Sequence, residues 1–216
     1  MSQATVPARE GLKFFGRVSA SVSHEIKNVF AVINEAAGLI EDFTLMAERG
    51  MPLKPERLKS AANAIQGQIR RGDTIVKNMN AFAHSTDEDV REVNLAELLG
   101  LTVALANRLA DMKQIRLTAG DCEPVSLAAD SFDLMLLLHS SIAAALDALS
   151  AGDTLAVGVK PENGGASFSL SSPGKDAPLA NDEAFAQFAR SMGADVGVDE
   201  DNRASVLRIQ PTARPE

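Results

Sequence analysis

Ser21-Val-Ser-His-Glu-Ile-Lys-Asn-Val-Phe-Ala-Val-Ile33 (SVSHEIKNVFAVI) carries two patterns at once. Val22, Ile26, Val29 and Ile33 recur every three or four positions, the repeat of one face of an α-helix. His24, Glu25 and Asn28 fall between them. The apolar pattern extends on both sides through Phe15, Val18, Ala36, Ile40 and Phe43, which makes one long amphipathic helix. Gly50 suits the position just past its end, Pro52 follows, and Pro55 fits the first turn of a second helix. That helix carries a stripe of its own at Leu58, Ala62, Ile65, Ile69, Gly72, Val76, Met79 and Ala83. A lone pair of such helices has too little core. Two hairpins close a four-helix bundle, so the pattern predicts a homodimer.

Beyond the hairpin the pattern changes. The polar run Ser85-Thr-Asp-Glu-Asp-Val-Arg-Glu92 reads as a linker, which divides the chain into residues 1–84, 85–92 and 93–216. Asn94 with Glu97 makes a capping-box-like start for a helix to about Met112. Short β-like runs follow at 115–118 and 125–127, and Asp130 can cap a helix to about Leu149. Strands at 154–159 and 166–170 flank the turn residues Glu162-Asn-Gly-Gly165. A helix over 182–192 then leads into a last hairpin at 195–198 and 205–209. The expected fold class is α+β: a dimeric helical hairpin, then a small α/β sandwich of three helices and about six strands, helices on one face.

The chain has 216 residues, and its 45% hydrophobic and 23% charged content are those of an ordinary globular protein. No window is expected to reach the ~18 uninterrupted apolar residues of a membrane span. The start, MSQATVPAREG, lacks the layout of a secretory leader. A single cysteine, Cys122, excludes an internal disulfide or a CxxC metal cluster. The expectation is a cytoplasmic protein without a membrane partner. Residues 1–84 carry a net charge of +3 and the rest −11. That acidic half repels nucleic acid and polyanions such as ATP, and with neither Trp nor Tyr there is no base-stacking platform.

On a helical wheel His24 lies about 180° from the midpoint of Val22 and Ile26, so it points away from the bundle core. Asn28 lies about 40° from it, Ala31 and Glu35 continue the strip, and Glu25 sits at its flank. An exposed imidazole beside a carboxylate is a competent nucleophile. The carboxylate takes a proton from one ring nitrogen while the other attacks phosphorus. By spacing alone, the same residues also suit an ordinary solvated helix face.

The stretch resembles the phosphoacceptor motif of two-component sensor histidine kinases, H-E-[IL]-[KR]-N-P-L, with Val29 and Phe30 in place of Pro-Leu. The similarity continues through RRGDTIVKNMNAFAHSTDEDVREVNLAELL, residues 70–99, and weakly to the end of the chain. The resemblance implies that His24 is the phosphoacceptor, Glu25 its acid/base neighbour, and Asn28 the polar residue that assists dephosphorylation of a partner.

The nucleotide half departs from that family. Its Asn box, N-L-L-x-N-A-x-x-A-L, supplies a Mg²⁺ ligand. Here the helix reads LLLHSSIAAALDAL, residues 136–149, with Ser140 and Ala144 at the two Asn positions. Alanine offers no oxygen to Mg²⁺. The adenine-reading Asp of D-x-G-x-G falls on Ser172, and residues 179–188 contain no glycine to wrap phosphates. No cofactor is therefore expected: ATP binding is lost, and Mg²⁺ belongs to the receiver partner.

The expected function is a histidine phosphotransferase of a two-component phosphorelay, exchanging a phosphoryl group between His24 and receiver-domain aspartates without ATP. A mildly basic bundle suits an acidic receiver pocket. A divergent ATP-dependent histidine kinase and a non-catalytic dimeric adaptor for a receiver or kinase are the alternatives. His139 reads as a packed histidine of an apolar helix, His84 as a cation at a helix end, and Arg70 and Arg71 as a solvated face.

Overall fold

The structure, a computed structural model, describes residues 8–180, 183–199 and 204–211. Its contacts gather the chain into two compact units. Arg17–Asn80 form one, and the described residues on either side of that segment form the other.

Two helices, α1 (Ala8–Glu48) and α2 (Pro55–His84), and the turn that joins them supply the first unit. The end of α1 is closed by backbone bonds from Gly50 N–H to Ala47 O (2.9 Å) and Met51 N–H to Met46 O (3.1 Å). Pro55 then opens α2, where its missing N–H costs nothing. Val18, Val29, Ala36, Ala61 and Ile75 are buried between the helices. Gly72 lets them approach, since a Cβ there would stand 3.4 Å from Val29 Cγ1.

The expected stripe of α1 lies inward throughout, each of its residues buried or half-buried. The stripe of α2 is only partly covered within one chain. Ala62, Ile69 and Val76 are exposed, the last two at 56% and 49%, while Ala61 and Ile75 are the buried ones. The apolar face of α2 is broader than one partner helix can cover. Leu58, Ile65 and Gly72 are half-buried, and the 62–69–76 row, about 40° round the helix from them, is exposed.

The second unit is built on two sheets. β1 (Arg91–Asn94) pairs antiparallel with β3 (Ser126–Ala129), setting Val93 opposite Leu127. Five further strands are β2 (Arg116–Cys122), β4 (Thr154–Glu162), β5 (Gly165–Ser171), β6 (Ala194–Asp199) and β7 (Ala204–Ile209). They form a mixed sheet in the order β2-β4-β5-β7-β6, parallel only between β2 and β4. The β4–β5 turn is the expected one, with Asn163 and Gly164 at φ of 50° and 79°, the primed hairpin geometry that Asn-Gly favours.

Helices α3 (Leu95–Met112), α4 (Ser131–Ala148) and α5 (Glu183–Ser191) complete the unit, and the fold class is α+β. Asn94 caps α3, accepting from the N–H groups of Ala96 (3.1 Å) and Glu97 (3.2 Å) and donating to the Glu97 carboxylate (3.1 Å). Asp130 caps α4 through Phe132 N–H (2.9 Å) and Asp133 N–H (3.0 Å). The core brings together Leu99, Leu137, Ile142, Leu155, Phe168 and Leu207, all fully buried.

α4 is also apolar enough, by length and a mean hydropathy of 1.3, to cross a membrane, although its apolar run is interrupted. Its interruptions include Asp133, His139, Ser140, Ser141 and Asp147. The window is 61% buried, as a core helix is.

Both ends of the hairpin helices belong to this second unit. Phe14 packs on Phe82 (ring centroids 5.3 Å apart), Phe132 (5.5 Å) and His139 (5.0 Å). Past α2 the chain stays anchored. Ser85 is buried, its hydroxyl donates to Phe82 O (2.6 Å), and its own carbonyl accepts from the Ser131 hydroxyl (3.3 Å). Arg91 and Glu92, expected in the linker, begin β1.

Candidate functional site

The first unit carries the candidate residues on α1. His24, Asn28, Ala31 and Glu35 are all exposed, a strip down the outside of the helix. Their positions follow from the inward set: with Val18, Val29 and Ala36 buried, residues 24, 28, 31 and 35, spaced by four, three and four, face away. Lys27 is exposed beside them.

Glu25 differs from its neighbours. Its side chain is only 22% exposed, and its carboxylate lies 4.0 Å from Nη2 of Arg71 on α2. Arg71 was expected to be merely a solvated residue. It is 55% exposed, yet it reaches across the hairpin to the residue beside His24. Sequence spacing within one helix cannot reveal such a pair, because the contact depends on how α1 and α2 are aligned. Proline is absent after the motif, and α1 runs on unbroken through Val29 and Phe30 to Glu48. Phe30 is 64% exposed.

In the second unit, α4 and the segment after β5 hold the positions where the nucleotide residues were sought. Ser140 and Ala144 are half-buried on α4, and His139 is buried against Phe14, as a packed histidine. Ser172 is buried, and its carbonyl accepts from Lys175 N–H (3.2 Å) in a tight turn. Lys175 in turn donates to Asp153 (2.6 Å), which holds the Asp153 carboxyl below its ordinary range, helped by Ser150 N–H. Ala177 and Leu179 are buried, and α5 begins shortly after them. At the two positions to which the resemblance assigns a metal ligand and an adenine contact, Ala144 offers no oxygen and Ser172 is a buried hydroxyl.

Acidic groups do gather at the start of α4. Burial raises the Asp130 carboxyl above its ordinary value, against the opposing N–H bonds from Asp133 and Phe132. Asp133 is pushed up to about 7, by burial first and then by the charges of Asp130 and Asp89. Sequence spacing showed the cap but not this crowding, since Asp89 arrives from the segment before β1.

His84 ends α2, with Nδ1 2.8 Å from an Asp87 carboxylate oxygen, both exposed.

No protein-family model matches the chain, and no curated protein does. Solved structures are similar to it at low identity. Acinetobacter baumannii histidine kinase AdeS is 11% identical over 88% of this chain and 98% of its own, with a TM-score of 0.46. A bacterial phosphotransferase is 14% identical over 97% of this chain and 100% of its own, at 0.48. The ATP-binding domain of PrrB from Mycobacterium tuberculosis is 16% identical over 58% of this chain and 100% of its own, at 0.45. These similarities concern the path of the backbone and assign no chemistry to any residue of this chain.

Proposed function

We propose that the chain is a histidine phosphotransferase of a two-component relay, which takes a phosphoryl group on His24 from a receiver-domain aspartate and returns it to another without ATP. The observation that carries this reading is the exposed strip His24–Asn28–Ala31–Glu35 beside the half-buried Glu25. A nucleophile that serves other proteins must be reachable, and small Ala31 admits a partner surface close to the helix.

In the forward step the lone pair of a neutral imidazole nitrogen attacks phosphorus. The N–P bond forms as the acyl-phosphate P–O bond breaks, and that electron pair stays on the receiver aspartate as carboxylate. The proton on the second ring nitrogen is held or taken by Glu25. Phospho-Asp and phospho-His are close enough in energy for exchange, so the chain's task is placement. The lack of Mg²⁺ and adenine ligands at Ala144 and Ser172, and the charge of −11 after residue 84, support a reading without ATP.

The second copy in this account is a sister hairpin. Ala62, Ile69 and Val76 on α2, with half-buried Ile26, Ile33 and Ile40 on α1, leave an apolar face that one hairpin does not close. Receiver domains are the partners, and the expected compartment is the cytoplasm.

The test uses a labelled phospho-receiver. Purified protein should acquire acid-labile, base-stable label, and Asn28→Ala should still do so while receiver dephosphorylation slows. Equal loss of both in Asn28→Ala contradicts the role given to Asn28.

A further inference from the structure

We propose that Arg71 is a positioning residue for Glu25: it holds the carboxylate ionised and turned toward the His24 side of α1, and so sets the pH range in which His24 transfers phosphate. This rests on the phosphotransfer reading of His24. The observation is the 4.0 Å approach of Arg71 Nη2 to the Glu25 carboxylate across the hairpin, with Glu25 withdrawn to 22% exposure while His24 beside it is open.

A half-buried carboxylate resists ionisation unless a positive charge or hydrogen bonds meet it. An acid/base group for His24 is useful only as carboxylate, ready to take the ring proton. Arginine brings a permanent charge and a planar fork, so it fixes direction as well as charge. The close approach of the two helices at Gly72, next in sequence, is what brings that fork within reach. Other charged groups near Glu25 along the two helices are His24 and Lys27 on α1 and Arg70 and Asp73 on α2, all exposed. The alternative job for Arg71, docking an acidic receiver, predicts a different readout and is an outcome of the same test.

Because Arg71 is half exposed, the effect of deleting it is modest. Arg71→Ala should raise the Glu25 titration, and Arg71→Glu, which sets like charges together, should raise it further. Each variant is followed by carboxyl NMR titration and by the rate of transfer from a phospho-receiver between pH 5.5 and 8.5. Transfer by Arg71→Glu should fall about twofold at pH 5.5 and converge on wild type by pH 8.5, with Arg71→Lys restoring most of the loss. An unchanged Glu25 titration overturns the proposal. A loss that is equal at every pH and lies in KM alone also overturns it, in favour of receiver docking. If the wild-type protein accepts no phosphate, the NMR titration still decides the pair, so failure of the relay reading and failure of this inference are distinguishable.

Discussion

Phe14 meets Phe82 edge to face, ring centroids 5.3 Å apart and planes at 83°, with both rings fully buried. Residues near the two distal ends of the helical pair thus share one aromatic cluster with Phe132 and His139 of α4. Phe82→Ala should cost about 3–5 kcal/mol in urea unfolding, the usual loss for an emptied buried phenylalanine. Phe14→Leu keeps most of the volume and should cost less than about 1.5 kcal/mol. A Phe82→Ala loss below 1 kcal/mol would mean that the cluster is not a core.

Asp133 gives a pH dependence whose sign can be fixed. Its folded value of about 7 lies above the ordinary 3.8, so between those limits the folded chain holds a proton that the unfolded chain has released. Stability therefore declines as pH rises through that window. Asp133→Asn removes the charge, and its melting temperature should exceed wild type by roughly 1–3 °C at pH 8 and match it near pH 4. A difference that does not grow with pH contradicts the assignment.

Much of the fold was legible because local chemistry and tertiary structure agree. Asn94 and Asp130 cap the helices they were expected to cap, Asn163-Gly164 turns the hairpin, and Pro55 opens α2. What escaped needed a second element. Strand β1 exists only because β3 lies beside it, and four residues with a single buried side chain, Val93, give no pattern of their own. Phe14 lay outside the repeating stripe, since it packs on Phe132 and His139 of α4 as well as on Phe82 at the end of α2. At the site, exposure of His24 and Asn28 followed from spacing, whereas the Arg71–Glu25 approach depends on helix alignment.

The exposed 62–69–76 row of α2 makes the oligomer testable. Ile69→Glu with Val76→Glu places two charges on residues already 56% and 49% exposed, so the isolated hairpin should keep its helix content. Sedimentation should show a dimer for wild type and a monomer for the double variant. Two species of equal mass would remove the four-helix bundle from the account.

Gly72 faces Val29 across the hairpin. A Cβ would lie 3.4 Å from Val29 Cγ1, so Gly72→Ala fits and gains helix propensity, for a net change within about 1 kcal/mol. Gly72→Leu should cost about 1–3 kcal/mol by overpacking and move α2 away from Glu25. Equal stability of the two variants would show that the approach is slack.

The central claim is that His24 receives its phosphate from a protein and not from ATP. The measurement is label incorporation from γ-labelled ATP with Mg²⁺ and, side by side, from phosphorylated receiver domains, with His24→Ala as control. The account predicts label from a receiver, none from ATP, and none on His24→Ala from either source. Label on His24 from ATP would contradict it.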